Sequence, residues 1–218
     1  MTCYHGSTKM KNIYFGSTKI KEVYHGSTLV YRSSQYAPGQ VIFESATAGT
    51  YSLDLLETGK YEVYCVAGGG SGARYFYSTQ FLVASGGSGS GFIGNVALTK
   101  GTMSIVVGSG GSGQSGDGYG YNGTNSSIGS AVICYAGGGG NAHSPSGRGG
   151  SGGSAPSISV TVYSTSLNSA GNGGGFRAGG SMGGGASLYA GYGKGGDAST
   201  GSVQQGTSGY VKITYIGN

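Results

Sequence analysis

The chain has no tryptophan, three prolines and three cysteines, and only 9% of its 218 residues are charged. Each shortage excludes something. Three cysteines are an odd number with no metal-ligand spacing, so neither a disulfide scaffold nor a zinc site is expected. Cys65 and Cys134 occupy matching contexts, Tyr64-Cys65-Val66-Ala67 and Cys134-Tyr135-Ala136. They read as small buried side chains in equivalent strands, with a disulfide between the two as the open alternative. No apolar run approaches the ~18 residues of a membrane span, so no membrane insertion is expected. Met1-Thr2-Cys3-Tyr4-His5 is not followed by an apolar stretch. No signal peptide is therefore expected, and synthesis is expected in the cytoplasm. No segment sustains a 3.6-residue period, so almost no α-helix is expected. Of the net charge of +5, +4 gathers in the first 34 residues, as Lys9, Lys11, Lys19, Lys21 and Arg32 against Glu22. That is too weak a footprint for nucleic acid, and no nucleic-acid partner is expected.

What the chain has is glycine, 51 residues of it. Runs stand at 68–70, 86–91, 108–113, 137–140, 147–153, 171–175, 179–185 and 191–196, often interrupted by serine. Glycine lacks Cβ, so two glycine backbones can approach more closely than any others. A run in the polyproline II conformation has three residues per turn and no internal hydrogen bonds. If buried, its N–H and C=O groups must find partners outside the run. Runs side by side satisfy one another. The sequence therefore predicts a bundle of polyglycine II helices on a β-sandwich-like base, all-β in class. The rival reading is a disordered linker. Apolar strands between the runs, the low charge and 18 tyrosines favour order.

The chain divides in two on this reading: a decapeptide-repeat arm at 1–35 and a glycine-rich domain at 36–218, with the boundary at Ala37-Pro38-Gly39. The repeats begin at Tyr4, Tyr14 and Tyr24, each with Gly-Ser-Thr two residues on. Ten residues suit a strand plus a turn, giving a β-meander or a rung-like shaft. His5 and His25 share a repeat position that holds Phe15 in the middle unit. They read as ordinary surface side chains, not a metal pair. In the domain, Tyr51, Leu53 and Leu55 alternate with polar residues, Glu57-Thr58-Gly59-Lys60 reads as a hairpin turn, and Tyr61, Val63 and Cys65 return. Val96 to Leu98 and Met103 to Val107 flank a second turn at Lys100-Gly101. Ile158, Val160 and Val162 read as one strand. Residues 40–67 and 209–216 bracket the glycine region and should neighbour each other.

Two resemblances follow from these motifs. The decapeptides resemble Tyr-x-Gly-(Ser/Asp)-Thr repeats of bacteriophage virion proteins, which implies attachment or multimerisation. Val66 to Gly70, Val106 to Gly111, the alternating glycine runs and Gly209 to Ile213 follow one another in the order of the glycine-rich domain of phage and prophage tail adhesins. That resemblance implies a polyglycine II core and receptor recognition at the tail tip through loops between the runs. The implied partners are a bacterial surface receptor, glycan or protein, and other virion tail proteins through residues 1–35. Analogy with tail fibres implies a homotrimer. The implied location is the virion.

No catalytic set stands out. Gly-x-Gly-x-x-Gly patterns arise by chance in such a chain and follow no βαβ unit. Asp117 and Asp197 form the one loop pair for glycoside hydrolysis. Asn122-Gly123-Thr124 is a glycosylation sequon without relevance to a bacterial or viral source. The stronger signal is aromatic. Tyr75, Phe76, Tyr77 and Phe81 lie between the first two runs, and Tyr119 and Tyr121 between later ones. Phe176 with Arg177, and Tyr189 with Tyr192, fill shorter gaps. Tyrosine offers a flat apolar face and a hydroxyl rim, suited to sugars or protein loops. The same rings could simply cap the bundle. The expected function is a non-enzymatic receptor-binding adhesin. The alternatives are a structural spacer and, behind it, a glycan depolymerase.

Overall fold

The computed structural model describes residues 4–5, 8–9, 13–20, 22–25, 28–32, 34–115 and 118–217. Asp117 and the turn positions Gly6-Ser7 and Gly26-Ser27 lie outside them. The chain separates into two units, Met1–Ala37 and Pro38–Asn218. Among the described residues there is no helix, so none is long and apolar enough to cross a membrane.

In the first unit each decapeptide is a separate two-stranded hairpin. Tyr4–His5 pairs with Thr8–Lys9, Ile13–Phe15 with Thr18–Ile20, and Glu22–His25 with Thr28–Arg32. Gly16 turns the middle one with φ 61°, a conformation glycine adopts without strain. The expected meander is therefore corrected. In each repeat the described strands on either side of the Gly-Ser-Thr signal pair with each other, and no described strand of one repeat pairs with a strand of another.

The second unit is built on two antiparallel five-stranded sheets. One runs Val162–Ser169, Gly91–Leu98, Gly59–Val66, Tyr210–Gly217, Val41–Ser45. The other runs Ser157–Ile158, Val132–Cys134, Ser126–Ile128, Gly101–Val107, Gly49–Leu55. The two pack face to face. Tyr61, Val63, Cys65, Phe92, Ile213 and Tyr215 from the first, with Leu55, Ile105, Ile128, Val132 and Cys134 from the second, are buried core residues. The Cys134 thiol donates to the Cys65 carbonyl across the sheets at 3.0 Å. Both thiols are free, and burial pushes Cys65 well above the usual thiol range. The closing strand Tyr210–Gly217 lies between Gly59–Val66 and Val41–Ser45, as the bracketing of the glycine region requires.

Both expected hairpin turns in this base are corrected. Gly49–Leu55 and Gly59–Val66 belong to opposite sheets, as do Gly91–Leu98 and Gly101–Val107. The short links at 56–58 and 99–100 are arches between sheets. Each strand of a pair carries one apolar face, and an arch turns the two faces towards each other. Lys100 N–H donates to Thr58 Oγ1 at 2.9 Å, tying the arches together. The expected strand through Ile158, Val160 and Val162 likewise divides. Ser157–Ile158 stays in the second sheet and Val162–Ser169 joins the first.

The glycine runs shuttle between this base and a smaller four-stranded sheet of Gln114–Ser115, Ala73–Tyr77, Gln80–Ala84 and Phe176–Ala178. We call that sheet and its neighbouring loops the tip. Residues 67–72 leave the base for the tip, 85–90 return, and 108–113, 135–140 and 170–175 leave again. Run 85–90 shows how they pack. Its N–H groups donate in turn to Gly175, Gly196, Gly138, Asn172, Gly193 and Tyr135 carbonyls. Every third residue returns to the same neighbour, 85 and 88 to 172–175, 86 and 89 to 193–196, 87 and 90 to 135–138. Its carbonyls accept from Gly150 and Gly153, from Gly185, and from Gly70 and Ala67. A β-strand alternates between two sides. This run addresses neighbours at a period of three, as a three-residue turn demands.

Serine does not interrupt these runs. Ser71, Ser85, Ser88 and Ser90 are fully buried within them. Ser88 N–H donates to Asn172 O at 2.8 Å, and Asn172 N–H donates back to Ser88 Oγ at 2.8 Å. The same reciprocal pair joins Ser71 to Tyr121, Ser85 to Gly175 and Ser90 to Tyr135. Threonine does it for Thr124 with Ser109 and Thr207 with Lys194. A hydroxyl thus supplies the acceptor that the neighbouring backbone lacks.

Candidate functional site

The tip begins with a hairpin that the sequence reading missed. Ala73–Tyr77 pairs with Gln80–Ala84 around a two-residue loop, with Ser78 at φ 57°. Such loops favour positive φ, for which Asn-Gly is the usual signal and Ser-Thr a poor one. The alternating Arg74-Tyr75-Phe76 and Phe81-Leu82-Val83 were the available clue. Alternation gives the sheet two faces.

One face carries Ala73, Tyr75, Leu82, Ala84 and Phe176, packed with Ala142 into a small apolar cluster. Tyr75 and Phe176 are half-buried there and hold the tip together. His143 lies against Tyr75, ring centroids 4.8 Å apart, and stacks on Tyr119 at 5.1 Å. Bridges from Asn141 to Tyr119 and to Arg148 bring these loops side by side. Two sequence-selected rings and one histidine thus meet. No Cys or carboxylate stands at ligand spacing from His143 in the sequence, and its ring partners Tyr75 and Tyr119 come from distant segments.

The other face carries Arg74, Phe76, Phe81, Val83 and Arg177. Arg74 and Arg177 flank Val83 in one cross-strand row, and Phe76 lies opposite Phe81. Phe76 and Phe81 meet edge to face at 5.0 Å, and the Arg74 guanidinium sits over the Phe81 ring at 5.0 Å. Arg74 also donates to Thr200 O at 2.7 Å. Phe76 is 54% exposed on this face, which also carries the solvent-exposed Arg177; Tyr77, 45% exposed, stands at the end of the hairpin on the opposite face with Tyr75. Val83, between the two arginines, is fully buried, so the exposed apolar surface lies at the hairpin's end.

The remaining candidates lie elsewhere. Tyr121 is exposed on run 120–125, its backbone bound to Ser71. Tyr189 and Tyr192 are far from the tip in the fold. They stack on Tyr210, with Tyr192 to Tyr210 centroids 4.6 Å apart, over the outer face of the first base sheet beside Tyr64. Tyr210 donates to Glu44 at 2.6 Å. These rings cover a sheet face, a packing role.

Asp197, one of the loop acids, is held in place. Gly184 N–H donates to it at 2.7 Å and the Lys194 ammonium at 3.1 Å. Partial burial alone would raise its carboxyl, but those two donors bring it below the usual carboxylate range. A small cavity of about 220 Å³ adjoins it, lined by Ser181, Met182, Ser199, Ser202 and Gln204 among others. The other loop acid, Asp117, lies outside the described residues. Among the described residues no group of three or more His, Cys, Asp or Glu side chains could hold a metal ion.

A family model described as a glycine-rich domain matches residues 45–218, nearly the whole of the second unit. A search of curated proteins gave no match.

Proposed function

We propose that this chain, which belongs to the glycine-rich domain family, is a non-enzymatic tail-tip adhesin of a phage or prophage. It recognises a glycan or protein on a bacterial surface with the tip of a polyglycine II bundle. The supporting observation is the hairpin that holds Phe76 and Tyr77 in solvent at the end of a close-packed rod stack. The period-three bonding of run 85–90 supports reading the runs as polyglycine II helices. Rigid rods cost little further entropy on binding, so the exposed rings are presented ready-made. The decapeptide arm attaches the protein to the virion or joins copies of it, in a tail-fibre arrangement.

The test is binding of the purified full chain to intact host cells. The double variant Phe76→Ala, Tyr77→Ala should lower binding at least about tenfold, the effect of losing aromatic anchors. Tyr192→Ala, in the base cluster, should leave binding intact. Unchanged binding by the hairpin variant would favour the second reading, a structural spacer. That reading draws on Tyr75 and Phe176, which serve packing inside the tip.

A further inference from the structure

Charge in the second unit is sorted along the rods. Glu44, Asp54, Glu57 and Glu62 all belong to base strands or arches, with Lys60, Lys100 and Lys212. The arginines of the unit, Arg74, Arg148 and Arg177, all belong to the tip. The described acid near them, Asp197, is already bound by Gly184 and Lys194. Arg148 and Arg177 are exposed, and their guanidinium groups make no hydrogen bond or ion pair with any described residue. Arg74 and Arg177 stand two strands apart on one face, roughly 10 Å between strand axes. Arg74 is steadied by Phe81 and by the Thr200 carbonyl.

The choice of cation matters. Arginine offers a planar fork that grips carboxylate or phosphate with two parallel bonds and stacks on rings. Lysine is a solvated point charge suited to a wet surface. The base has the second kind and the tip the first. We propose that the tip takes an anionic polysaccharide, its phosphate or carboxylate groups held by Arg74 and Arg177 while Phe76, on the same sheet face, covers a sugar ring. This rests on the adhesin reading and adds the chemistry of the ligand to it.

The experiment measures binding of the full chain to immobilised phosphomannan, polygalacturonate and neutral dextran of matched length. At least one anionic polymer should bind tenfold or more tightly than dextran. The preferred one identifies phosphate or carboxylate as the group read. Arg177→Gln and Arg74→Gln should each cost several-fold, and Arg177→Lys should fail to restore full binding. Lys60→Gln and Lys212→Gln, equal in charge change but in the base, should have no effect. Raising salt from 50 to 500 mM should weaken the interaction, because exposed pairs are screened. Binding no tighter than to dextran overturns the inference, as does equal sensitivity to base lysines and tip arginines. The two proposals separate on host cells. If Phe76→Ala, Tyr77→Ala loses cell binding while the arginine variants keep it, the adhesin reading stands and the anionic ligand falls. If neither set matters, both fall.

Discussion

The base and the bundle of the same unit solve burial in opposite ways. In the base, side chains fill the interior, and Val63, Cys65 and Phe92 exclude water at a period of two. In the bundle the interior is main chain, and what matters is the side chain that is missing. Every N–H of run 85–90 donates to another run's carbonyl. A hydrophobic core tolerates a change of volume at a moderate cost because neighbouring side chains shift. A rod stack has main chain to shift, and most of its inward amides and carbonyls are already bonded. The bundle should therefore be the less forgiving half.

The largest effect expected follows from that contrast. A Cβ at Gly87 would lie inside the Ser151 carbonyl, whose oxygen accepts from Gly138. Gly87→Ala must move a rod or break that bond. We expect a loss of at least about 3 kcal/mol, or no folded protein, in urea unfolding. Val63→Ala removes two methyl groups from the base core and should cost about 2 kcal/mol. A milder effect for the added methyl than for the deleted pair would break the comparison.

The serine braces come next. Ser88→Ala strips the acceptor from Asn172 N–H inside the stack. An unpaired buried amide costs about 1–3 kcal/mol. Amide exchange at Asn172 should accelerate together with the fall in stability. If stability drops but Asn172 stays protected, the hydroxyl is filling space and not bonding.

A smaller, pH-dependent effect sharpens the base side. Tyr210 is raised above the usual phenol range, first by burial and then by its bond to the Glu44 carboxylate and the charge there. The folded state holds this proton more tightly than the unfolded chain. Its contribution is complete below about pH 10, the unfolded value, and is lost as pH rises from there towards the folded value. Stability should therefore decline above pH 10, and less steeply in Tyr210→Phe. An unchanged slope would show that the tyrosine cluster does not couple to folding.

Much of this was legible and the limits are physical. Strands with alternating apolar residues announced themselves, because period two is written in side chains. Their partners did not. Leu55 and Tyr61 look the same whether the intervening turn makes a hairpin or an arch, since both expose one apolar face. Glycine density revealed inner runs but missed 120–125 and 204–209. There glycine recurs only at Gly120 and Gly123, and at Gly206 and Gly209, each placed against a carbonyl of residues 66–71. The residues between, such as Asn122, Thr124 and Gln205, face solvent. An edge rod needs glycine once per turn, so the signal was spacing and not density. At the tip, the aromatic positions were readable but their division was not. Tyr75 and Phe76 are adjacent, and only the pleat sends one inward and one out.

The smallest effect tests whether glycine matters as a residue or as a position. Gly173 sits in the same run as Asn172, whose bonds to Ser88 tie that run to the centre of the stack. Yet a Cβ on Gly173 would meet only the Gly150 carbonyl, at an ordinary 3.7 Å, and its φ is not in the left-handed region. Alanine there keeps the conformation and narrows the unfolded ensemble. Gly173→Ala should leave stability unchanged or raise it by up to about 1 kcal/mol. The substitution is the one that should wreck the stack at Gly87, so the sign should reverse between an inward and an outward position. A substantial loss at Gly173 would mean that the runs need glycine for backbone freedom everywhere. Close approach of main chains would then no longer be what selects glycine in this protein.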